Sequence, residues 1–504
     1  MNPAFSGGSC LAVLGTGSDV GKSIVVTALC RLFADQGIRV APFKAQNMSN
    51  NSGVTPEGLE MGRAQIVQAE AARLSPHVDM NPVLLKPTSE KGSQVVVRGI
   101  AAGNQSAMDY HRRKAGLVEV VHQSLDRLRR DYDLVILEGA GSCAEVNLMA
   151  HDIVNFSMAE YADAPVILVG DIHRGGIFGQ LIGTLACLPP HFRNRVAGFI
   201  INRFRGDARL FADGVRWIED KTGLPVFGVL PWYDHIRIDS EDSVAIERPD
   251  AHLSVVGDGP AVAVIRLPHI SNFTDIDPLQ EIPGLGVNFV KMPRDLSAFA
   301  AVILPGSKNT RFDLNWLKST GWASRLTDYQ ASGGFITGIC GGYQMLGTTI
   351  LDPDGLEGKP GTSEGLGLLP VKTLLKAPKT TTLTQFSWEK NDGAGYEIHM
   401  GQTTSDPAAL VDGRPLLTVH SRNGMAAHDM DGCITHNGRV MGTYIHGFFD
   451  SPAIIRHWLF HVGIQGITVP DMGGLAARSH QYDALADHFQ RHVNVAAIGQ
   501  LVHQ

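Results

Sequence analysis

LAVLGTGSDVGKSIVVTALCRLF, residues 11–33, sets an apolar run, a glycine-rich turn and a second apolar run in immediate succession. Leu11 to Leu14 is short and aliphatic, as in a strand buried on both faces, while Ile24 to Phe33 is long enough for a helix. Backbone N–H groups in such a strand–turn–helix loop can surround a phosphate, and the helix N-terminus favours its negative charge. The spacing therefore predicts a nucleotide-binding loop. Thr16, Gly17 and Gly21 form the cradle, Lys22 reaches the terminal phosphates of ATP, and the Ser23 hydroxyl holds Mg²⁺. Five residues separate Gly15 from Gly21, one more than the strict pattern of such loops.

The same grammar repeats downstream. Leu134 to Leu137 runs into Glu138-Gly139-Ala140-Gly141, Val166 to Val169 into Gly170-Asp171, and Phe199 to Ile201 into Asn202-Arg203. Short Val/Ile/Leu runs separated by helical stretches predict parallel strands, whose carboxyl ends gather the functional residues. Glu138 then becomes a second ligand for the metal, because Mg²⁺ takes hard oxygen donors. Lys44, closing the run RVAPFK, is placed over the transferred phosphoryl group. Asn202 either reads the adenine edge or organises a turn. A polar stretch between Asp239 and Pro260 interrupts the pattern, and a second α/β series follows it. The expected fold class is α/β, with two doubly wound, mainly parallel-sheet domains. A synthetase domain at 1–240 and a linker at 241–260 precede a second domain at 261–504, which helices after about Ile454 close.

Composition narrows the classes. In 504 residues, 43 Lys and Arg stand against 50 Asp and Glu, a net charge of −7 without a basic block, which disfavours a nucleic-acid binder. Six cysteines, at 10, 30, 143, 187, 340 and 433, form no CxxC pair, so neither a disulfide framework nor a zinc knuckle is expected. The longest apolar runs, such as Ala164 to Val169, are strand-sized, and residues 1–10 lack a basic segment followed by an apolar one. A cytoplasmic protein with no membrane partner is expected, and oligomeric state is not legible.

Gly334-Phe-Ile-Thr-Gly338-Ile-Cys340-Gly341-Gly342 is the sharpest feature of the second half. A strand runs through G-x-C-x-G into a helix, the strained turn that presents a nucleophile at the top edge of a sheet. The helix N-terminus favours the thiolate of Cys340. Such a nucleophile needs a base and an oxyanion hole. His446, in GTYIHG, ends a strand beside Gly447 and is the preferred base, with His399 in GYEIHMG as competitor. Gly306, in LPGSKNT, ends another strand, where its N–H joins that of Gly341 as oxyanion donor.

With these two motifs placed, the chain resembles the glutamine-dependent cobyric acid synthases of cobalamin biosynthesis. The likeness covers roughly residues 9 to 455. GTGSDVGKS, APFKAQNMSNNS, EMGRAQIVQAEAA, NPVLLKPTSE, DYHRRKAG, VGDIHRGGIFGQLIGT and INRFRGD carry it in the first half. PHISNFTD, ILPGSKNT, GICGGYQMLG, GYEIHMG and GTYIHG carry it in the second. The loop and elbow alone fit several amidoligases, whereas QNMSNNS and GDIHRGG separate this group from the a,c-diamide synthases. The resemblance implies a first domain similar to dethiobiotin synthetase, whose phosphate loop shares the extra residue. It also implies a class I glutamine amidotransferase domain, with Cys340 as nucleophile and His446 as base. Most class I domains carry a Glu two residues after that His; Phe448 stands there instead, so a Cys–His dyad is expected.

The reaction so implied is ATP-dependent amidation of the b, d, e and g carboxylates of adenosylcobyrinic acid a,c-diamide, with corrinoid, glutamine and ATP as partners. Gln344, one turn past the nucleophile, is a candidate for holding glutamine. Lys86, Arg98, Arg112, Arg113, Lys114 and Arg174 are candidate contacts to the polyanionic corrinoid. The nearest competing reading is an amidoligase acting on another acceptor, such as cobyrinic acid or a pyrimidine nucleotide. A nucleotide-dependent scaffold with a degenerate second half conflicts with the intact Cys340 and His446 motifs, and a plain cysteine hydrolase leaves the GKS loop unexplained.

Overall fold

The computed structural model describes residues 7–89, 92–233, 236–239 and 259–502. The expected linker at 241–260 lies outside the described residues except for its last two, and so do the side chains of Arg112, Arg113 and Lys114.

Six strands form the first sheet, in the order Val226–Pro231, Val196–Phe204, Val166–Asp171, Ser9–Gly15, Leu134–Glu138 and Val40–Phe43, every neighbouring pair parallel. Ser9–Gly15 lies centrally with Leu11, Val13 and Leu14 fully buried, as its unbroken aliphatic run predicts. A second sheet begins with Gly286–Val290, Ala261–Ile265, Ala301–Leu304, Phe335–Ile339 and Val440–Thr443, all parallel. It ends in two short antiparallel strands, Cys433–Thr435 and Gly413–Arg414. In each sheet a loop that the sequence marks as functional leaves the carboxyl end of an inner strand: Gly15 to Gly21 in the first, Cys340 in the second. That is where open α/β sheets place ligands.

Smaller sheets join the halves. The strands Ser52–Val54 and Glu60–Gly62 of the first half meet the long hairpin Val371–Trp388/Asn391–Ser405 of the second. Lys379 Nζ donates to Glu60 Oε2 at 2.6 Å, and Thr381 Oγ1 donates to the Gly58 carbonyl at 2.6 Å. Among the described residues, no helix is long and apolar enough to cross a membrane.

One expectation is corrected. Helix Pro452–His461 does pack into the second core through Ile454, Ile455, Trp458 and Leu459. The last two helices, Gly474–His492 and Val495–Val502, instead return to the first domain. Tyr482, Leu485, Ala486 and Phe489 form one apolar stripe at helical spacing, and that stripe lies in the core of Val25, Leu29 and Phe33. The physical cause is the phosphate-loop helix Lys22–Asp35, whose outer face is apolar and needs a cover. Polar contacts fix the register: Arg31, 1% exposed, donates through Nε to Asp483 at 2.8 Å, and Arg478 grips both oxygens of Glu70 at 2.9 Å each. Phe489→Ala should therefore cost about 3–5 kcal/mol. In calorimetry it should lower the unfolding transition of the nucleotide domain, not that of the second domain.

Candidate active sites

Gly21 opens the phosphate-loop helix with φ +98°, and a Cβ there would meet Asn202 Nδ2 at 2.0 Å, so only glycine fits. Lys22 folds back over the loop, its Nζ donating to the carbonyls of Gly17 and Gly141 at 3.0 Å each. The Thr16 N–H and hydroxyl both reach the Val169 carbonyl, at 3.0 and 3.4 Å, which ties the loop to the neighbouring strand. Asn202 Nδ2 donates to the Val20 carbonyl at 2.9 Å, and its Oδ1 accepts from the Arg203 N–H at 2.8 Å. Of the two readings of Asn202, these bonds give the organising one: the side chain braces the loop from below.

Glu138 is the centre of this site. It is 1% exposed, and Oε1 accepts from both the Ser23 hydroxyl and Lys44 Nζ at 2.9 Å. Its other oxygen accepts from Gln68 Nε2. A buried carboxylate costs several kcal/mol unless fully paired, and these three donors satisfy it. The sequence reading thus placed Lys22, Ser23, Lys44 and Glu138 in one site, and it missed Gln68. Its signal was available: Gln65 and Gln68, three apart in EMGRAQIVQAEAA, share one face of the helix Arg63–Ala71 and are fully buried there, unusual for glutamine. Gln68 Oε1 has no partner among the described residues. The Ser23 hydroxyl, the Glu138 carboxylate and this spare carbonyl oxygen are hard donors suited to Mg²⁺ and its water shell.

In the second domain, Cys340 takes φ +50°, ψ −106° between the strand Phe335–Ile339 and the helix Gly341–Leu346. The strain is held by crowding: a Cβ on Gly342 would fall 1.9 Å from the Leu304 carbonyl oxygen, and one on Gly341 would fall 2.7 Å from the Ser307 nitrogen. Gly306 sits against the base, with a hypothetical Cβ 3.1 Å from His446 Cε1. Cys340, Gly341, Gly306 and His446 therefore form one cluster, with the thiol of Cys340 directed at the Ile398 carbonyl at 3.6 Å.

His446 is 1% exposed, and its Nδ1 lies 2.7 Å from Asp275 Oδ2. Asp275 Oδ1 accepts from the Gly447 N–H at 2.8 Å, so one carboxylate fixes the ring and the backbone beside it. Burial alone would lower the His446 pKa; the Asp275 carboxylate, followed by Cys340, overcomes it and raises the value to about 10. The carboxylate behind the expected Cys–His pair, which the sequence does not identify, comes from the turn Phe273–Ile276, in PHISNFTD. No spacing rule links residues 171 apart, and the signal lay only in the acidic end of that quoted segment.

His399 is engaged elsewhere: Nδ1 lies 2.8 Å from the Gly401 carbonyl, Nε2 3.3 Å from Glu397, and the ring stacks on Tyr444 at 3.7 Å. Gln344 is also committed, its Oε1 accepting from Thr310 at 3.1 Å and its Nε2 donating to Tyr444 at 3.0 Å. These bonds tie the elbow helix to the helix Thr310–Thr320 and to Tyr444. Lys86 is no surface cation either: it is 3% exposed and donates to Glu60 and Ser52 at 2.7 Å each. Arg98 pairs with Asp79 at 3.3 Å, and Arg174 is exposed.

Two family profiles match the chain, a "CobQ/CobB/MinD/ParA nucleotide binding domain" at residues 11–244 and a "CobB/CobQ-like glutamine amidotransferase domain" at residues 261–454. Among curated relatives, a cobyric acid synthase of Chlorobium phaeobacteroides is 50% identical over 495 residues, covering 98% of this chain and 97% of its own. Those of Chlorobaculum tepidum (49% over 488 residues, 96% of each chain) and Chloroflexus aurantiacus (48% over 497 residues, 98% of this chain and 99% of its own) match at similar length.

Removing the Asp275 charge leaves burial unopposed on that side. Asp275→Asn should bring the His446 pKa down from about 10, as read by NMR titration of the ring. Hydrolysis of a glutamine side-chain amide should fall by up to roughly 10⁴-fold, the loss seen when a carboxylate that orients a catalytic His is made neutral.

Proposed function

The chain belongs to the cobyric acid synthase family, and on that premise we propose that it amidates the b, d, e and g carboxylates of adenosylcobyrinic acid a,c-diamide, giving adenosylcobyric acid. Glutamine supplies the nitrogen and ATP the driving force. The observation that carries this reading is the pairing, in one chain matched end to end by cobyric acid synthases, of an intact phosphate-loop site with an intact Cys–His–Asp site.

The chemistry divides between the sites. A carboxylate is a poor acyl donor because its leaving group would be oxide. Transfer of the ATP γ-phosphoryl group to that oxygen makes an acyl phosphate, whose leaving group is good. Thr16, Gly17 and Gly21 position the phosphates, while Lys22 and Lys44 offset the charge that develops on the moving group. Asn202 holds the loop in place for this. Ser23 and Glu138 are the ligands that would hold Mg²⁺, which supplies further charge neutralisation at the phosphate oxygens.

Cys340 attacks the glutamine side-chain amide, and the N–H groups of Gly306 and Gly341 receive the oxyanion. With Nδ1–H directed at Asp275, the imidazole presents Nε2 to the reaction. That nitrogen protonates the departing ammonia, leaving a γ-glutamyl thioester. It then takes a proton from the water that cleaves the thioester, releasing glutamate and restoring Cys340. Free ammonia at neutral pH is mostly ammonium and unreactive, so we place a water-poor passage along the seam between the two domains.

Mass spectrometry tests the acceptor. A corrin a,c-diamide incubated with the protein, Mg-ATP and glutamine should give a ladder of products, each with one more OH replaced by NH₂ and matched by one released ADP. An unchanged corrin with continuing glutamine hydrolysis would contradict the acceptor and leave the amidotransferase half standing. Cys340→Ser should lose glutamine-driven amidation and keep amidation driven by ammonium. Glu138→Gln should lose both, measured as corrin amide formed.

A further inference from the structure

A cluster of lysines sits where the synthetase domain meets the nucleophile elbow. Glu60, 1% exposed, accepts from Lys86 at 2.7 Å through one oxygen and from Lys379 at 2.6 Å through the other, so a single carboxylate answers two ammonium groups. Burial alone would raise the Glu60 pKa, but Lys379 and Lys86 hold it well below the usual carboxylate range. Lys308 is a third cation in the same field, close enough to Lys379, Lys86 and Glu357 to interact electrostatically with each. Among the described residues, no hydrogen bond or ion pair reaches its ammonium group. Glu357 does not pair with it directly: its carboxylate accepts the Arg311 N–H at 2.9 Å, at the start of the helix Thr310–Thr320. Burial, then Lys379 and Lys86, press the Lys308 pKa down to about 7. A cation crowded by two others, with neither available carboxylate bonded to it, is where a buried anion is stabilised most.

The position says which anion. Lys308 follows Gly306 and Ser307, and the Ser307 nitrogen lies 2.7 Å from where a Cβ on Gly341 would be, so the turn that carries Lys308 lies against the start of the elbow helix beside Cys340. The turn is rigid: the Lys308 N–H donates to the His269 carbonyl at 2.9 Å, and the Ser307 hydroxyl donates to Asp313 at 2.6 Å. Lys86, beside Lys308, is near enough to Cys340 to interact with its sulfur. The substrate whose amide is attacked at Cys340 carries a carboxylate a few bonds from that amide carbon.

Resting on the amidotransferase reading above, we infer that Lys308, backed by Lys86 and Lys379, is the subsite for the α-carboxylate of glutamine. The nucleophile's own substrate pocket is then completed by a lysine, Lys86, that the synthetase domain supplies.

The test compares hydrolysis of glutamine with that of its neutral α-carboxamide. Wild-type protein should favour glutamine in kcat/KM by roughly 10- to 100-fold, the range for a hydrogen bond to a charged group. Lys308→Met should collapse that ratio towards unity, chiefly through KM, and Lys308→Arg should retain most of it. A wild-type protein without the preference overturns the inference whether or not the variants fold, and so does a Lys308→Met protein that keeps it. A Lys308→Met protein that instead raises KM for the corrinoid in ammonium-driven amidation assigns the lysine to the acceptor and also overturns it. Wild-type protein that hydrolyses neither amide contradicts the amidotransferase reading itself, an outcome distinct from the others.

Discussion

Glu60 binds one lysine from each half of the molecule, and the placement of everything at the seam follows from that buried triad. Taking the carboxylate and two ammonium groups out of water carries a penalty of several kcal/mol per ion, offset only when the geometry is right. Lys86 and Lys379 each lie within 2.7 Å of a separate oxygen, and Ser52 and Gln94 take further donor bonds from the two lysines. Slippage between the halves would strand a charge, so the triad specifies one docking geometry. In that geometry the Ser52 N–H meets Asn272 Oδ1 at 2.9 Å. Asn272, at φ +49°, begins the turn that carries Asp275 to His446. The loop that follows Lys44 is therefore bonded, through Ser52 and Asn272, to the turn that orients the base.

Each half solves the same problem. A parallel sheet ends in a sharp turn that leads into a helix N-terminus, a place that favours negative charge. In the first half Lys22, Ser23 and Glu138 gather about the loop at the start of that helix. In the second half Cys340 stands at the start of the helix, and the close approach that its strained turn requires is met by glycines at 341 and 342, where a Cβ would clash with Ser307 and Leu304. The two C-terminal helices, by covering the phosphate-loop helix, make the nucleotide domain depend on the last thirty or so residues of the chain.

What was legible in the sequence is what lies contiguous in it. The phosphate loop, the strand ending at Glu138, the elbow at Cys340 and the strand ending before His446 each announce themselves by apolar runs and turn residues. Asp275 was hidden because its role exists only after the second domain folds and brings a turn near the start of that domain against a strand near its end. Gln68 shows its face in the spacing with Gln65, but its partner Glu138 was not legible, because helix spacing gives a face and not the identity of what that face meets. For Gln344 and Lys86 the position was legible and the partners were not, because Thr310, Tyr444 and Glu60, distant in the chain, meet their polar atoms.

The central claim is that one fixed seam lets nitrogen released at Cys340 reach an acceptor activated beside Glu138 without entering bulk water. It is tested by supplying glutamine labelled with ¹⁵N in its side-chain amide together with excess unlabelled ammonium, then reading the isotope in the new amides by mass spectrometry. Amides that carry mainly ¹⁵N at every ammonium concentration are predicted. Amides whose isotope content follows the bulk ammonium pool would contradict the account.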